Sequence, residues 1–430
     1  ESSSSGESSS SGESSSSGES SSSGESSTSG ESSTFGESSA SGESSTSSES
    51  SSSSEGSTSG ESDPKTADVN GAPVAAAPAA VALAPEGKAS DNSSASGENS
   101  APAASEAENL MLMTAPAVPA VSSSAAKIGE TSYDSLEDAI AAANASSKTE
   151  EVVLQKDHIG VVELVHSIIL NLNGNKIINP EGSGKAAFVV KPDETTGDTL
   201  DVTIKNGTVT GGEDSGIRIV GSEQINPTVT LEDLTITGNT GTHGGGVYIV
   251  SGNVTIDGCT ITENEATGNG GGVYATDGST VTVVGGEISN NTSTGVEQTA
   301  SGGGGLYTNN STVTLDTVTI TGNQAINDSR NDGGGVFAAG SDLTVTGSTI
   351  TENTAPDCGG GLFLSHTNAN ITGSTIEGNQ AKQGAGVYLN DSPDTAEADC
   401  TGSHTHNITG TKINHNTASS IGGGMYVGTK

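Results

Sequence analysis

Thr312-Val313-Thr314-Leu315-Asp316-Thr317-Val318-Thr319-Ile320-Thr321-Gly322-Asn323, followed after a short spacer by Gly333-Gly334-Gly335-Val336-Phe337, is the stretch on which the fold turns. Its apolar residues alternate at period two through Val313 and Leu315, then again through Val318 and Ile320, with Asp316-Thr317 as a corner between the runs. Two short strands are predicted. The glycine motif opens a third, best seen as Leu362-x-Leu364 one repeat later.

Both motifs recur. The tetrapeptide I-x-x-N occurs seven times, closing on Asn239, Asn264, Asn291, Asn323, Asn353, Asn379 and Asn416. Each is followed by glycines, a branched residue or Met, and an aromatic, which ends the second motif on Tyr248, Tyr274, Tyr307, Phe337, Phe363, Tyr388 and Tyr426. The steps from Tyr307 to Ile320 and from Phe337 to Ile350 are equal, whereas the stretch from Asn to the glycines varies freely. A fixed part and a loop of variable length make one repeat.

One such turn cannot bury its inner face alone, so successive turns must stack and pair their strands in parallel. The predicted fold is all-β, a right-handed parallel β-helix. Ala187-Phe188-Val189 and Ile217-Arg218-Ile219 read as looser copies of the glycine motif, with Val209 in the place of an Ile, which brings the expected total to about nine coils. The Ile of I-x-x-N is expected to point inward, and the Asn to sit at a corner in a left-handed backbone conformation, where stacked side-chain amides form a ladder. Ahead of the coils, Ser135-Leu136-Glu137-Asp138 begins an amphipathic helix with Leu136, Ala139, Ile140 and Ala143 on one face. This helix is expected to cover the open N-terminal edge.

The remainder of the chain is of a different kind. From Glu1 to Glu61 a glutamate recurs every sixth residue in E-S-S-S-S-G hexads, a pattern with no apolar face to offset ordering entropy. Residues 1–62 therefore read as a disordered, hydrated arm, and 63–126 as an Ala/Pro/Ser-rich linker with an apolar knot at Leu110-Met111-Leu112-Met113. The β-helix is placed at 127–430. The chain opens on Glu1 and stops at Lys430 just past a repeat motif, so both ends read as cut and the β-helix as truncated at its C terminus.

Composition narrows the function. With a formal charge of -39 and only Arg218 and Arg330 as arginines, the chain is poorly equipped for nucleic acid or for clamping phosphate, and no nucleic-acid partner is expected. No apolar run is long enough for a membrane span in this stretch. Cys259, Cys358 and Cys400 are too few for a disulfide framework and lack zinc spacing.

The paired motifs resemble the repeats of chlamydial-type polymorphic outer-membrane proteins and related adhesin-like surface proteins, whose hallmark tetrapeptides are G-G-A-[ILV] and F-x-x-N. The resemblance covers about residues 200–430, with Gly245-Gly246-Val247 as one motif and Ile261-Thr262-Glu263-Asn264 as the other, Ile standing where that family has Phe. It implies a pectate-lyase-like β-helix at the surface of a bacterial or archaeal cell, with an adhesive or structural role and no cofactor.

Candidate sites follow from strand alternation. An aromatic between two inward aliphatics points outward, so the seven rings are expected to form a ladder on the outer surface, either a structural stack between adjacent coils covered by the variable loops or a platform for glycans or surface proteins of host or neighbouring cells. Corner acids Glu232, Asp257 and Asp316 fall on nonadjacent coils in this reading, and Glu263, Glu352 and Glu377 stand alone, so no convergent pair for polysaccharide cleavage is assigned. No catalytic residue, metal or cofactor is expected, and the chain reads as a non-enzyme. Asp399, Cys400, His404, His406 and His415 could be drawn as a zinc cluster, but their spacing is nonstandard. Outward T-x-T pairs at Thr235/Thr237, Thr260/Thr262, Thr319/Thr321 and Thr349/Thr351 raise an ice-binding face, interrupted at Ser289, Glu377 and Lys412. A non-catalytic adhesin or stalk is the leading reading. A polysaccharide-active β-helix enzyme and an ice-binding solenoid are the alternatives.

Overall fold

The computed structural model describes residues 124–195, 197, 199–295, 301–326, 331–391 and 404–428. Residues 1–62 and 63–123, read from sequence as arm and linker, lie outside the described residues. The ordered unit begins slightly earlier than expected. Ala125 and Ala126 are buried, and Ala126–Ile128 is already a strand.

The fold is a right-handed parallel β-helix. One wall is a ten-stranded parallel sheet built from the glycine motifs, running from Val162–Leu164 through Phe188–Val190, Ile217–Val220 and the seven motif strands to Met425–Gly428. That is one coil more than the motifs announced. The extra coil, Val162-Glu163-Leu164, carries neither glycine nor aromatic, and only its pairing with Phe188–Val190 identifies it.

The other walls belong to one extended sheet. Thr312–Asp316 and Thr319–Thr321 are its strands in the coil first quoted, and Thr317 turns the chain between them at φ 56°. Inward residues align in columns from coil to coil: Ile236, Ile261, Ile288, Ile320, Ile350, Ile376 and Ile413 pair in strict register, and all but the last are fully buried. Burying each such side chain contributes roughly 1.5–3 kcal/mol, which is why the stack holds without aromatic residues inside its later coils.

A fourth, two-residue strand follows the Asn corner in several coils, including Glu265–Ala266, Thr292–Ser293 and Gln324–Ala325. Small buried residues, Ala325, Ala355 and Ala381 among them, let the backbone of neighbouring coils come close there. The three-strand repeat read from sequence thus has a short fourth rung.

At the corner itself the backbone differs from expectation. Positive φ falls one residue before the ladder Asn in all seven coils, at Gly238, Glu263, Asn290, Gly322, Glu352, Gly378 and His415. The preceding residue makes the left-handed turn, which leaves the Asn side chain aimed into the corner rather than out of it. In every motif but the last, the glycine preceding the strand is required for space instead. A Cβ on Gly246, Gly272, Gly305, Gly335 or Gly361 would stand 2.6 Å from a carbonyl oxygen of the next coil.

The N-terminal end is closed by helix α1 (Leu136–Asn144). Ser135 caps it, accepting from the Asp138 N–H at 3.0 Å, and Leu136, Ala139 and Ala143 are buried while Ile140 packs partly against the core. An antiparallel hairpin, Ala126–Ile128 with Thr131–Tyr133, flanks the helix, and its first strand also runs antiparallel to Glu151–Leu154. The parallel edge is covered from the outset.

Candidate functional site

The aromatic column is a continuous stack. Ring centroids lie 5.2 Å apart for Tyr248–Tyr274 and Tyr274–Tyr307, 4.9 Å for Tyr307–Phe337, 4.8 Å for Phe337–Phe363, 5.3 Å for Phe363–Tyr388 and 5.1 Å for Tyr388–Tyr426. Strand pairing alone imposes this spacing, because the residues are register partners.

The rings lie outside the main core, as alternation implied, and the structure decides their exposure, which the sequence left open. Tyr307, Phe337 and Phe363 are only 6%, 2% and 5% exposed, and with Cys358 they form a second apolar cluster outside the main core. The centre of the column is a packed layer, and it offers no open platform to a glycan. Tyr248, Tyr274, Tyr388 and Tyr426 are half-buried. Burial, with Tyr307 and Tyr248 beside it, raises the Tyr274 hydroxyl to about 12; burial next to Cys358 does the same to Tyr388. His243 stacks on Tyr274 at 4.8 Å, and the Arg218 guanidinium lies over the Tyr248 ring at 4.2 Å, so the column ends on a cation.

Beside the glycines that precede the motif strands, the seven corner asparagines form one hydrogen-bonded chain. From Asn239 to Asn379, each side-chain nitrogen donates to the Oδ1 of the next Asn at 2.9–3.0 Å. From Asn239 to Asn379 all are buried, and Asn416 is partly exposed. Every donor is satisfied along the line, so the ladder is a structural spine with no capacity left for a ligand.

The acids are placed differently from the sequence reading. Glu232 and Asp257 are register partners on adjacent coils, because Thr228 pairs with Asn253; Val284 then separates Asp257 from Asp316. Sequence spacing concealed this, since the loop between coils has no fixed length. Asp399 and Cys400 lie outside the described residues. The histidines grouped with them go to separate partners: His406 Nε2 to Asp391 at 2.7 Å, His415 Nδ1 to Glu377 at 2.5 Å, and His404 edge-on to His366 at 5.6 Å between ring centroids.

Two coils bring Asp332, Asp357 and Cys358 together, with ligand-type atoms within 4.8 Å of one another. The Cys358 N–H donates to Asp332 Oδ1 at 2.9 Å, and Lys382 Nζ lies 3.3 Å from Asp357. Burial, then the two neighbouring carboxylates, push the Cys358 thiol far above its ordinary range. The sulfur stays protonated and belongs to the aromatic layer.

Threonine rows line the outer faces of the extended sheet. Thr203, Thr230, Thr255, Thr282, Thr314 and Thr344 align over six successive coils without a break. In the neighbouring strands the row Thr208, Thr235 and Thr260 is broken by Glu287 and resumes with Thr319, Thr349 and Thr375 before Lys412.

Among families of known proteins, the model for a right-handed beta helix region matches residues 186–301. No curated protein and no solved structure matches the chain significantly. The matched residues take in the strands from Phe188–Val190 to Thr292–Ser293, whose coils and pairing continue without change of register type to Tyr426.

Proposed function

We propose that this chain is a non-catalytic rod at a cell surface, a stalk or adhesin that presents loops to glycans or surface proteins of other cells. The observation that carries the reading is where length varies. The run from the ladder Asn to the motif glycines is long after Asn291 and Asn323 and short in the other coils, and a further insertion separates Val387–Asn390 from His406–Thr409, while the paired strands of the walls keep register. Loops of variable length on a solenoid whose walls keep register are its usual contact surface. The Ser/Glu hexads ahead of the rod suit a hydrated tether, and the acidic balance disfavours nucleic acid. Among the described residues no helix is long and apolar enough to cross a membrane.

The test is binding of the full chain, immobilised on beads, to cells and to a glycan array, run beside a depolymerase screen on neutral and uronate polymers. Saturable binding with no new reducing or unsaturated ends is expected. Release of such ends would replace the adhesin with an enzyme.

An ice-binding solenoid is favoured by one observation, the unbroken six-coil threonine row. Thermal hysteresis of the full chain decides it, and a freezing point equal to the melting point removes that reading.

A further inference from the structure

The outer column of the glycine-motif sheet changes character at its first coils. Reading along register partners, it runs Glu163, Val189, Arg218, Tyr248, and from Tyr248 onward every coil contributes a ring. At Val189 the ring is missing. A cleft of about 840 Å³ opens at this place, within the range that holds small organic ligands and large enough for several sugar rings.

Its floor is apolar, formed by Val165, Val189 and Val220. One wall is the Arg218 guanidinium, held flat from two directions: the Tyr248 ring lies 4.2 Å beneath it, and Asp214 Oδ2 sits 3.4 Å from Nη1. Arg218 lines the cleft on the side of Val189, so the face not occupied by Tyr248 is the one a ligand would meet. Facing it are Lys191 and Glu163, paired at 2.5 Å. Lys185 is carried in by a loop that Glu213 fixes, its carboxylate accepting from the Gly182 and Gly184 N–H groups at 2.6 and 2.5 Å. Asp193 and Glu194 complete the rim, and Thr195 holds Asp193 in place through its N–H at 2.9 Å and its hydroxyl at 2.6 Å.

The charges select the ligand class. Three cations face four carboxylates, and two of the cations are already ion-paired, so an added carboxylate would meet an excess of its own sign. An apolar ligand would strip water from these groups and return nothing. A ring rich in hydroxyls satisfies both conditions: its hydroxyls donate to Asp193, Glu194 and Glu163 and accept from Lys185 and Lys191, while its C–H face lies on Val189 and the guanidinium plane. We propose that this cleft binds a neutral saccharide, with one ring seated on Arg218 in the place where later coils carry an aromatic side chain. The assignment deepens the surface-contact reading and rests on it for the glycan character of the partner.

Two substitutions test it in the full chain. Val189→Tyr completes the column and fills the gap from a half-exposed strand position, and Arg218→Ala removes the stacking wall. The probes are maltotriose, mannotriose and galactotriose, with trigalacturonate as the acidic comparison, followed by ligand-observed NMR and calorimetry. At least one neutral trisaccharide should bind the unaltered chain, and both variants should weaken it by about tenfold or more with an unchanged circular dichroism spectrum. Unchanged affinity in Val189→Tyr, binding of trigalacturonate alone, or no trisaccharide binding at all overturns the proposal. Bead-to-cell binding measured on the same proteins separates the two readings: if Val189→Tyr still binds cells, surface contact stands and the cleft is not its seat. If the unaltered chain binds no cells, the surface reading falls whatever the cleft does.

Discussion

The side-chain nitrogen of Asn291 donates to Asn323 Oδ1 at 3.0 Å and to the Ile261 carbonyl at 2.8 Å, while the Asn291 backbone N–H reaches that same Asn323 oxygen at 3.0 Å. Asn323 in turn donates to the Ile288 carbonyl and to Asn353 Oδ1, so each asparagine links three coils. The corner stays closed because no member can rotate without unpairing its neighbours.

Replacing Asn323 by alanine should therefore cost more than one hydrogen bond. It strands the Asn291 amide and N–H groups in a buried corner, with the Ile288 carbonyl beside them, a loss of about 3 kcal/mol or more. Asn416→Ala should cost clearly less, because Asn416 is partly exposed. Denaturant midpoints of the two variants check the ordering, and equal midpoints would show that the ladder contributes little.

The periodic residues of the repeat were legible because period-two alternation and a recurring Ile and Asn have a single economical solution, stacked coils. The corner conformation was less so, yet its signal is present. The position before the ladder Asn is Gly in three coils, and Asn290 is another residue at ease with positive φ, whereas Glu263, Glu352 and His415 hide the same geometry. Burial of Tyr307 and Phe337 could not be read, since alternation fixes the direction of a side chain and not what later folds over it. The gap at Val189 was hidden for a related reason: it is defined by register with Arg218 and Tyr248, and the first coils lack the motifs that reveal register.

Gly335 and Gly373 separate two uses of glycine. A Cβ on Gly335 would meet the Gly361 carbonyl oxygen at 2.6 Å and Asn353 at 3.1 Å, whereas one on Gly373 meets nothing within 4 Å and suffers only from φ 62°. Gly373→Ala should cost about 1–2 kcal/mol from backbone strain. Gly335→Ala should cost more, because backbone of the next coil must move. Thermal midpoints of both variants measure this, and a smaller loss at Gly335 would contradict the close approach.

Phe337 lies between Tyr307 and Phe363 and is 2% exposed. Phe337→Ala should lose about 3–5 kcal/mol, the range for a buried aromatic deletion. Tyr426→Ala, at the half-buried end of the column, should lose far less. Near-UV circular dichroism and denaturant titration follow both; similar small losses would mean that the central rings are open to solvent.

Cys259 sets a pH dependence of known sign. Burial raises its thiol to about 12, with Asp233 and Asp257 adding to the effect, while its sulfur accepts from the Leu234 N–H at 3.4 Å. The unfolded chain ionises this thiol near its ordinary value of about 8.5, so above that pH the unfolded state holds fewer protons than the folded one. The contribution to stability is complete below pH about 8.5 and is lost as pH rises toward 12. Cys358, Tyr274 and Tyr388 are raised too and act in the same direction, so the comparison needs a variant that removes one group only. Cys259→Ala lowers stability at every pH through lost packing, but its midpoint should fall less between pH 8 and pH 10.5 than that of the unaltered chain. Parallel declines in the two proteins would place the pH dependence on other groups and leave the Cys259 thiol without a part in it.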